Sequence, residues 1–154
     1  MAEEEEKSKK LDSVSNLDIE ISAEAQVKRT ESRDKVSDAI LKLFPGGHGE
    51  LITTEQDRVM FVSSNMRALQ YLKDQFRDRR VRAAARRLLL SNQGEENGLT
   101  TFLLLNKQAA TVAIGALCDD PKESPLGPIV LRMRSEKLQS VIDWMTKGYE
   151  GATS

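Results

Sequence analysis

The side chains best suited to binding chemistry are the arginines of the segment 76–90, FRDRRVRAAARRLLL. Six of them stand there among alanines and leucines: Arg77, Arg79, Arg80, Arg82, Arg86 and Arg87. A guanidinium group presents a planar fork of donors that fits phosphate oxygens and also stacks on nucleobases. The segment therefore predicts contact with phosphates. The alternative is a solvated helix surface whose arginines pair with neighbouring acids such as Asp74, Asp78, Glu95 and Glu96.

The apolar residues of this region follow helical spacing, about 100° per residue, on two different faces. One face carries Leu69, Leu72 and Phe76. A second face, rotated by roughly half a turn at that spacing, carries Val81, Ala84, Ala85 and Leu88. A straight helix could not turn both faces toward one core, so the pattern predicts a break near 78–80 between helices over 66–77 and 79–91.

On the second of these helices the spacing sets most arginines away from the apolar stripe. Those predicted to point outward, on the opposite side, are Arg79, Arg82 and Arg86, and those that flank the stripe are Arg80 and Arg87. A strand over 128–134 would expose Arg132 and Arg134, and Lys107 falls in a predicted turn. Together these groups predict one basic patch. Since no phenylalanine or tyrosine pair offers a stacking platform, the patch would recognise the RNA backbone or its shape.

The sequence contains no constellation for catalysis or metal binding. His48 lies in a loop, Cys118 ends a strand, and no spacing joins the two into a nucleophile–base pair. Gly46 and Gly47 are not followed by the Lys-Ser/Thr pair of a phosphate-binding loop. We therefore expect a noncatalytic protein with no metal and no cofactor.

Composition predicts a single cytoplasmic domain. The chain has 154 residues, a net charge of −1, one cysteine and no apolar run of membrane-spanning length. A lone cysteine forms no internal disulfide and suits a reducing compartment. The charged residues 1–16 predict a disordered tail that holds five acidic and three basic side chains. The remaining residues then carry a net charge of +1, so a nucleic-acid site would be a local patch.

The order of elements follows from the periodicity of each segment. Period-two alternation predicts a strand over 17–27, and the helix that follows ends at the proline and glycines 45–47. Two short strands are predicted over 50–55 and 58–63, before the pair of arginine-bearing helices. The remaining predictions, given by range, are a central strand pair over 99–105 and 110–118, a strand over 128–134 and a helix beginning after 135.

These elements predict one α+β domain over residues 17–147, with a flexible C-terminus over 148–154. The element order is β-α-β-β-α-α-β-β-β-α. Its sheet is expected to be twisted and mainly antiparallel, with helices packed on it. No internal repeat and no linker between domains is apparent.

Four segments resemble an archaeal family of uncharacterised proteins. They are LKLFP (41–45), RRVRAAARRLL (79–89), FLLLNKQAATVAIG (102–115) and ESPLGPIVLRM (123–133). The resemblance covers about residues 17–145 and implies a fold like that of the ribosomal protein L-five, which binds the smallest ribosomal RNA. Members are labelled RNA-binding because of this fold, and the resemblance carries no catalytic residues over to this chain.

The motif positions of that resemblance are Arg82, Arg86, Asn106, Lys107, Gln108, Pro125, Gly127 and Pro128. The polar ones are candidates for a ligand surface, and each also has a structural explanation. Asn106 and Gln108 could satisfy backbone groups of a turn. Gly127 could adopt a positive φ, and Pro128 could fix the start of a strand.

Two functional hypotheses follow. The first is a noncatalytic protein that binds structured RNA with an arginine-rich helix face; its candidate contact residues are Arg79, Arg82, Arg86, Arg87, Asn106, Lys107, Gln108, Arg132 and Arg134. The second is a protein-interaction module, a homodimer without a role in nucleic-acid binding, in which the same arginines pair with acids of the partner. No membrane contact and no small-molecule substrate is predicted.

Overall fold

The alternation near the beginning of the sequence forms the first strand, β1 (Glu20–Gln26). Its Ile21, Ala23 and Ala25 side chains are buried, whereas Glu20 and Gln26 are exposed. The computed structural model of the chain describes residues 18–55, 57–94 and 98–147. The predicted tail (1–16) and flexible C-terminus (148–154) lie outside the described residues.

Within these described residues, six strands form one antiparallel sheet in the order β2-β3-β1-β6-β4-β5. The other five strands are β2 (Glu50–Glu55), β3 (Arg58–Ser63), β4 (Thr100–Leu105), β5 (Leu117–Cys118) and β6 (Ile129–Arg134). Across the sheet Phe61, Ala23, Leu131 and Leu103 lie in one row, and all four are buried. This row marks the core face.

In the part of the chain that the structure describes, five helices accompany the sheet. They are α1 (Arg33–Leu43), α2 (Gln70–Asp78), α3 (Arg82–Ser91), α4 (Lys107–Ala110) and α5 (Leu138–Met145), with 3-10 turns at Met66–Leu69 and Pro121–Glu123. Their apolar residues join the core cluster of the sheet. The opposite sheet side, which we call the open face, carries half-buried or exposed side chains of alternate positions. None of the helices in the described ranges is long and apolar enough to cross a bilayer.

The predicted α+β class and the break between α2 and α3 are confirmed. The break is a Schellman motif, in which the Val81 amide donates to the Phe76 carbonyl at 2.9 Å and the Arg80 amide donates to the Arg77 carbonyl at 3.1 Å. Arg80 takes the left-handed position with φ 58°, where glycine is usual. The apolar faces of the two helices can therefore both reach the core.

The prediction of a strand over 110–118 that pairs with β4 is confirmed only at Leu117–Cys118, on the edge of the sheet, and is wrong for 110–116. The Asn106 side chain accepts a 2.8 Å hydrogen bond from the Ala109 amide and caps the short helix α4. The chain then turns at Ala113, whose φ is 63°, and returns to the sheet only at β5 on its edge. The neighbours of β4 are β5 and β6, so a local cap overrides the apolar pattern of this segment.

The placement of Lys107 in an exposed turn is also wrong, because α4 directs this side chain inward. Lys107 is 2% exposed. Its ammonium donates to the Gln26 carbonyl at 2.7 Å, to Glu31 Oε1 at 2.9 Å and to the Leu126 carbonyl at 2.6 Å. All three N–H groups are thus satisfied. We call this arrangement the lysine joint, since it ties the end of β1, the residues before α1 and the loop before β6 together.

The loop before β6 is shaped around the same joint. The Ser124 hydroxyl donates to the Gly127 carbonyl at 2.6 Å and accepts from the Lys107 amide at 3.4 Å. Gly127 has φ +87°, which a residue with a side chain rarely adopts. Pro128 stands directly before β6. The two motifs around 106–110 and 124–128 therefore build one structural unit.

Arg80→Gly is expected to raise the free energy of unfolding by about 0.5–1 kcal/mol. The left-handed conformation costs a residue with a side chain about 1–2 kcal/mol, and the greater freedom of glycine in the unfolded chain offsets part of that gain. Urea denaturation followed by circular dichroism measures the change. Arg79→Gly is the matched control, since Arg79 has φ −89° and should lose about 0.5–1 kcal/mol. Equal effects of the two variants would contradict the explanation.

Lys107→Met should lower the free energy of unfolding by about 3–5 kcal/mol, because it leaves the Glu31 carboxylate uncompensated in a nearly buried position. Lys107→Met/Glu31→Gln should recover part of that loss. The exposed Lys122→Met serves as control and should change stability by less than about 0.5 kcal/mol. Thermal and urea unfolding test this; a Lys107→Met protein as stable as wild type would show that the joint contributes little.

Candidate nucleic-acid interface

The nine predicted contact residues occupy different environments. Lys107 belongs to the lysine joint and Asn106 caps α4. Arg86 is buried, and Arg82 is half-buried. The exposed residues are Arg79, Arg87, Gln108, Arg132 and Arg134.

The predicted outward orientation of Arg86 is wrong. This arginine is 5% exposed because α5 packs against that side of α3. Its Nη1 donates to Asp143 Oδ1 at 2.8 Å and to Thr146 Oγ1 at 3.3 Å, while the buried Nε has no hydrogen-bond partner among the described residues. α3 is therefore covered on two sides, by the sheet and by α5.

Arg82 also contacts the end of α5. Its Nη1 donates to the Lys147 carbonyl at 2.7 Å, which places the beginning of α3 beside the C-terminal end of α5. The neighbouring Arg77 is paired with Asp78 at 3.0 Å and with Asp74 at 3.5 Å. The hydrogen bond to Asp78 and the two carboxylates raise the pKa of the Arg77 guanidinium. Arg77 thus agrees with the alternative of a helix surface whose arginines pair with neighbouring acids, whereas Arg82 is held by a backbone carbonyl.

Arg79 and Arg80 differ from these paired arginines. Both are exposed, and neither forms an ion pair with any residue in the described ranges. The Schellman turn fixes their backbone between two helices that are anchored in the core. About two turns further along α3, Arg87 is also exposed, and its Nη2 lies 3.5 Å from Asp119 Oδ1. We call Arg79, Arg80 and Arg87 the α3 face.

A second group of arginines lies on the open face of the sheet. Arg58 and Arg132 approach the two carboxylate oxygens of Glu24 at 2.6 and 3.9 Å, and Arg134 lies 4.0 Å from Glu20. Their side chains are about half exposed, and such pairs contribute only about 0–1 kcal/mol each. Arg58 is not among the predicted contacts, although the alternation of β3 puts it on the same face.

The expected single patch is therefore wrong, because the structure separates its members. The helices lie on the core face of the sheet, whereas Arg132 and Arg134 point away from it. Two surfaces result, the α3 face and the open face. They approach each other at the β4–β5 edge, where Asp119 lies between Arg87 and the side chain of Arg132.

Groups for other chemistry are sparse. In the part of the chain that the structure describes, no three His, Cys, Asp or Glu side chains are placed to hold a metal ion. Cys118 is buried, and this burial, together with Glu123 and Asp119, raises the pKa of its thiol. A raised pKa disfavours the thiolate that a nucleophile requires.

Comparison with known proteins adds the evidence of relatives. Residues 20–134 match a protein-family model described as RNA binding. A UPF0201 protein of Sulfurisphaera tokodaii is 35% identical over 124 residues, which cover 80% of this chain and 83% of that protein. A UPF0201 protein of Metallosphaera sedula is 32% identical over 128 residues, with coverages of 79% and 82%.

The fold is shared as well. The crystal structure of a UPF0201 protein from Methanococcus jannaschii is 26% identical in sequence and superposes with a TM-score of 0.63, covering 82% of this chain and 92% of that one. The matched family model extends from β1 to β6 and includes both arginine surfaces. The chain therefore belongs to the family that this model describes as RNA binding and to the archaeal UPF0201 proteins.

Proposed function

We propose that this chain is a noncatalytic RNA-binding protein whose α3 face contacts phosphates of structured RNA. The observation that carries the proposal is the adjacent pair Arg79 and Arg80, both exposed and without an ion-pair partner in the described ranges, with the exposed Arg87 further along α3. Arg29 and Arg67 are also exposed without such a partner, but neither has a second arginine next to it. Exposed arginines that are not neutralised can displace the counterions of a phosphate chain.

The geometry of α3 supports this proposal. At about 1.5 Å per residue, Arg82 at the beginning of α3 and Arg87 lie roughly 7–8 Å apart along the helix axis, and Arg80 stands in the turn just before this helix. Ala83 lies between them on the exposed side and is small enough for a backbone to approach closely. A phosphate chain could therefore contact both ends of the α3 face without steric hindrance.

Two of the predicted contact residues are enclosed within the fold. Arg86 and Lys107 are buried and hydrogen-bonded within the protein, so a phosphate could reach them only if α5 or the lysine joint opened. We propose that they position α3 and the neighbouring loops. Arg132 and Arg134 on the open face remain candidates for additional phosphate contacts.

A different kind of observation favours the alternative function, a homodimeric interaction module. Val112, after α4, is 67% exposed, and Leu41 and Ile114 are also exposed large apolar side chains. Exposed apolar side chains are common on monomers, however, and three of them are too few to define an interface. The RNA hypothesis is therefore preferred, because it also accounts for the unpaired charges.

The triple variant Arg79→Ala/Arg80→Ala/Arg87→Ala should weaken RNA binding and reduce its salt dependence. The slope of log affinity against log salt concentration should fall by about 0.7–0.9 for each phosphate that the variant no longer neutralises, and so by about 2–3 in total. Fluorescence anisotropy with a labelled RNA hairpin between low and moderate salt provides the measurement.

The matched control, Arg29→Ala/Lys35→Ala/Arg67→Ala, removes an equal number of positive charges outside the α3 face. All three of these residues are exposed. The control should leave the slope nearly unchanged. If both triple variants reduce the slope equally, binding is a diffuse effect of net charge. If neither variant changes binding, but the α3 variant dissociates an oligomer in sedimentation velocity, the interaction-module alternative is correct.

A further inference from the structure

A cleft of about 410 Å³ opens where the C-terminal end of α3 meets the open face of the sheet. Its walls are the apolar side chains of Leu88, Phe102, Leu104 and Val130, and its rim includes Asp119 and Arg132. Cavities of a few hundred Å³ with apolar walls and a few polar groups are typical of small-ligand sites. Among the predicted RNA contacts Arg132 lines this cleft, whereas the apolar wall residues belong neither to that set nor to the α3 face.

The register of β4 and β6 places an aromatic ring beside a cation in this cleft. Phe102 lies directly opposite Arg132, and Leu104 lies opposite Val130. Opposite residues of an antiparallel pair are about 5 Å apart at their Cβ atoms. Phe102 is only half-buried although its ring is large and apolar. The half-buried ring and the exposed guanidinium therefore form a platform of two groups, both of which stack on nucleobases.

The rim charge favours a ligand that carries phosphates. Arg132 contributes a side chain that is 58% exposed, and its nearest carboxylate, on Glu24, is 3.9 Å away. Arg87 approaches the rim from α3 and lies 3.5 Å from Asp119, with both side chains exposed. Two arginines thus stand near the rim carboxylate of Asp119, and the Glu123 carboxylate lies close by, since its Oε2 accepts from the Asp119 amide at 3.3 Å. An apolar pocket with flanking cations complements a base that is joined to phosphates on either side.

We propose that this cleft binds one unstacked nucleobase of a single-stranded RNA segment, over Phe102, while Arg87 and Arg132 contact the adjoining phosphates. This inference rests on the proposed RNA-binding function and deepens it. The α3 face would lead the phosphate chain to the cleft at the end of the helix. RNA with an unpaired loop should therefore bind more tightly than a continuous duplex, whose bases are stacked within the helix.

The test compares a labelled RNA hairpin with an unpaired loop and a blunt duplex of the same stem, by fluorescence anisotropy on the full chain. Phe102→Leu keeps an apolar side chain on the sheet but removes the ring. It should weaken loop binding about 5- to 100-fold, in line with about 1–3 kcal/mol for each stacked base. Duplex binding and the salt slope should not change, because the phosphate contacts remain. Val130→Leu, in the same cleft, is the control and should change loop binding less than Phe102→Leu.

A second variant tests the rim contacts at an exposed position, where the substitution does not alter packing in the sheet. Asp119→Asn removes the rim carboxylate at an exposed position and frees Arg87, so it should strengthen binding of the loop RNA several-fold at low salt. Asp34→Asn, an exposed acid on α1, is matched in charge and should have little effect. An Asp119→Asn protein that binds no better than Asp34→Asn would count against the rim contacts.

The outcomes separate the two proposals. If wild type binds neither RNA, the proposed function and the cleft proposal both fail. If wild type binds both RNAs equally and Phe102→Leu changes nothing, the cleft proposal is overturned while the α3 face can still bind phosphates. If Phe102→Leu instead dissociates a dimer, the cleft holds a second copy of the chain, and the proposal is also overturned. A loss confined to the loop RNA supports it.

Discussion

The buried ammonium of Lys107 is the constraint on which the surrounding architecture depends. A lysine ammonium taken out of water is tolerated only when its donors are satisfied, and here two backbone carbonyls and the Glu31 carboxylate satisfy all three. These acceptors come from chain segments 76, 81 and 19 residues away from Lys107. The position of α4 and the course of the loop before β6 are therefore linked to the end of β1.

This joint also bears on the candidate site. The loop that contains Leu126 begins after β5, and its first residue, Asp119, stands on the rim of the cleft. The Asn106 amide group reaches toward the same loop, with Nδ2 3.5 Å from the Glu123 carbonyl. Arg86 also links separate elements, as Lys107 does, because its hydrogen bond to Asp143 joins α3 to α5. Two cations of the predicted contact set thus orient the surfaces on which the exposed arginines stand.

The sequence predicted those parts of the fold that have a local physical signal. Alternation indicated β1 and β6, and the phase difference between two apolar faces indicated the break before α3, although α3 begins at Arg82 and not at the predicted residue 79. The cap by Asn106 is equally local, but the apolar residues after it favoured a strand. The burial of Lys107 and Arg86 could not be predicted, because both residue types are usually exposed. Their acidic partners are 76 and 57 positions distant in the sequence.

A domain with almost no net charge can bind RNA if some of its arginines are paired with carboxylates while others are not. In the described ranges Arg58, Arg77 and Arg134 pair with carboxylates, while Arg79 and Arg80 form no ion pair. Net charge alone therefore understates the local potential near the α3 turn. The open face adds Phe102 and Arg132, a pairing that depends on the register between strands distant in sequence.

The most direct test of RNA binding by the α3 face maps the contact residue by residue, by NMR titration of the nitrogen-15-labelled chain with a hairpin RNA. We predict that amide shifts change over 79–92 and around Phe102 and Arg132, while amides of α1 remain unchanged. Changes confined to α1, or to the loop around Val112, would contradict this prediction, because neither belongs to the α3 face or to the cleft.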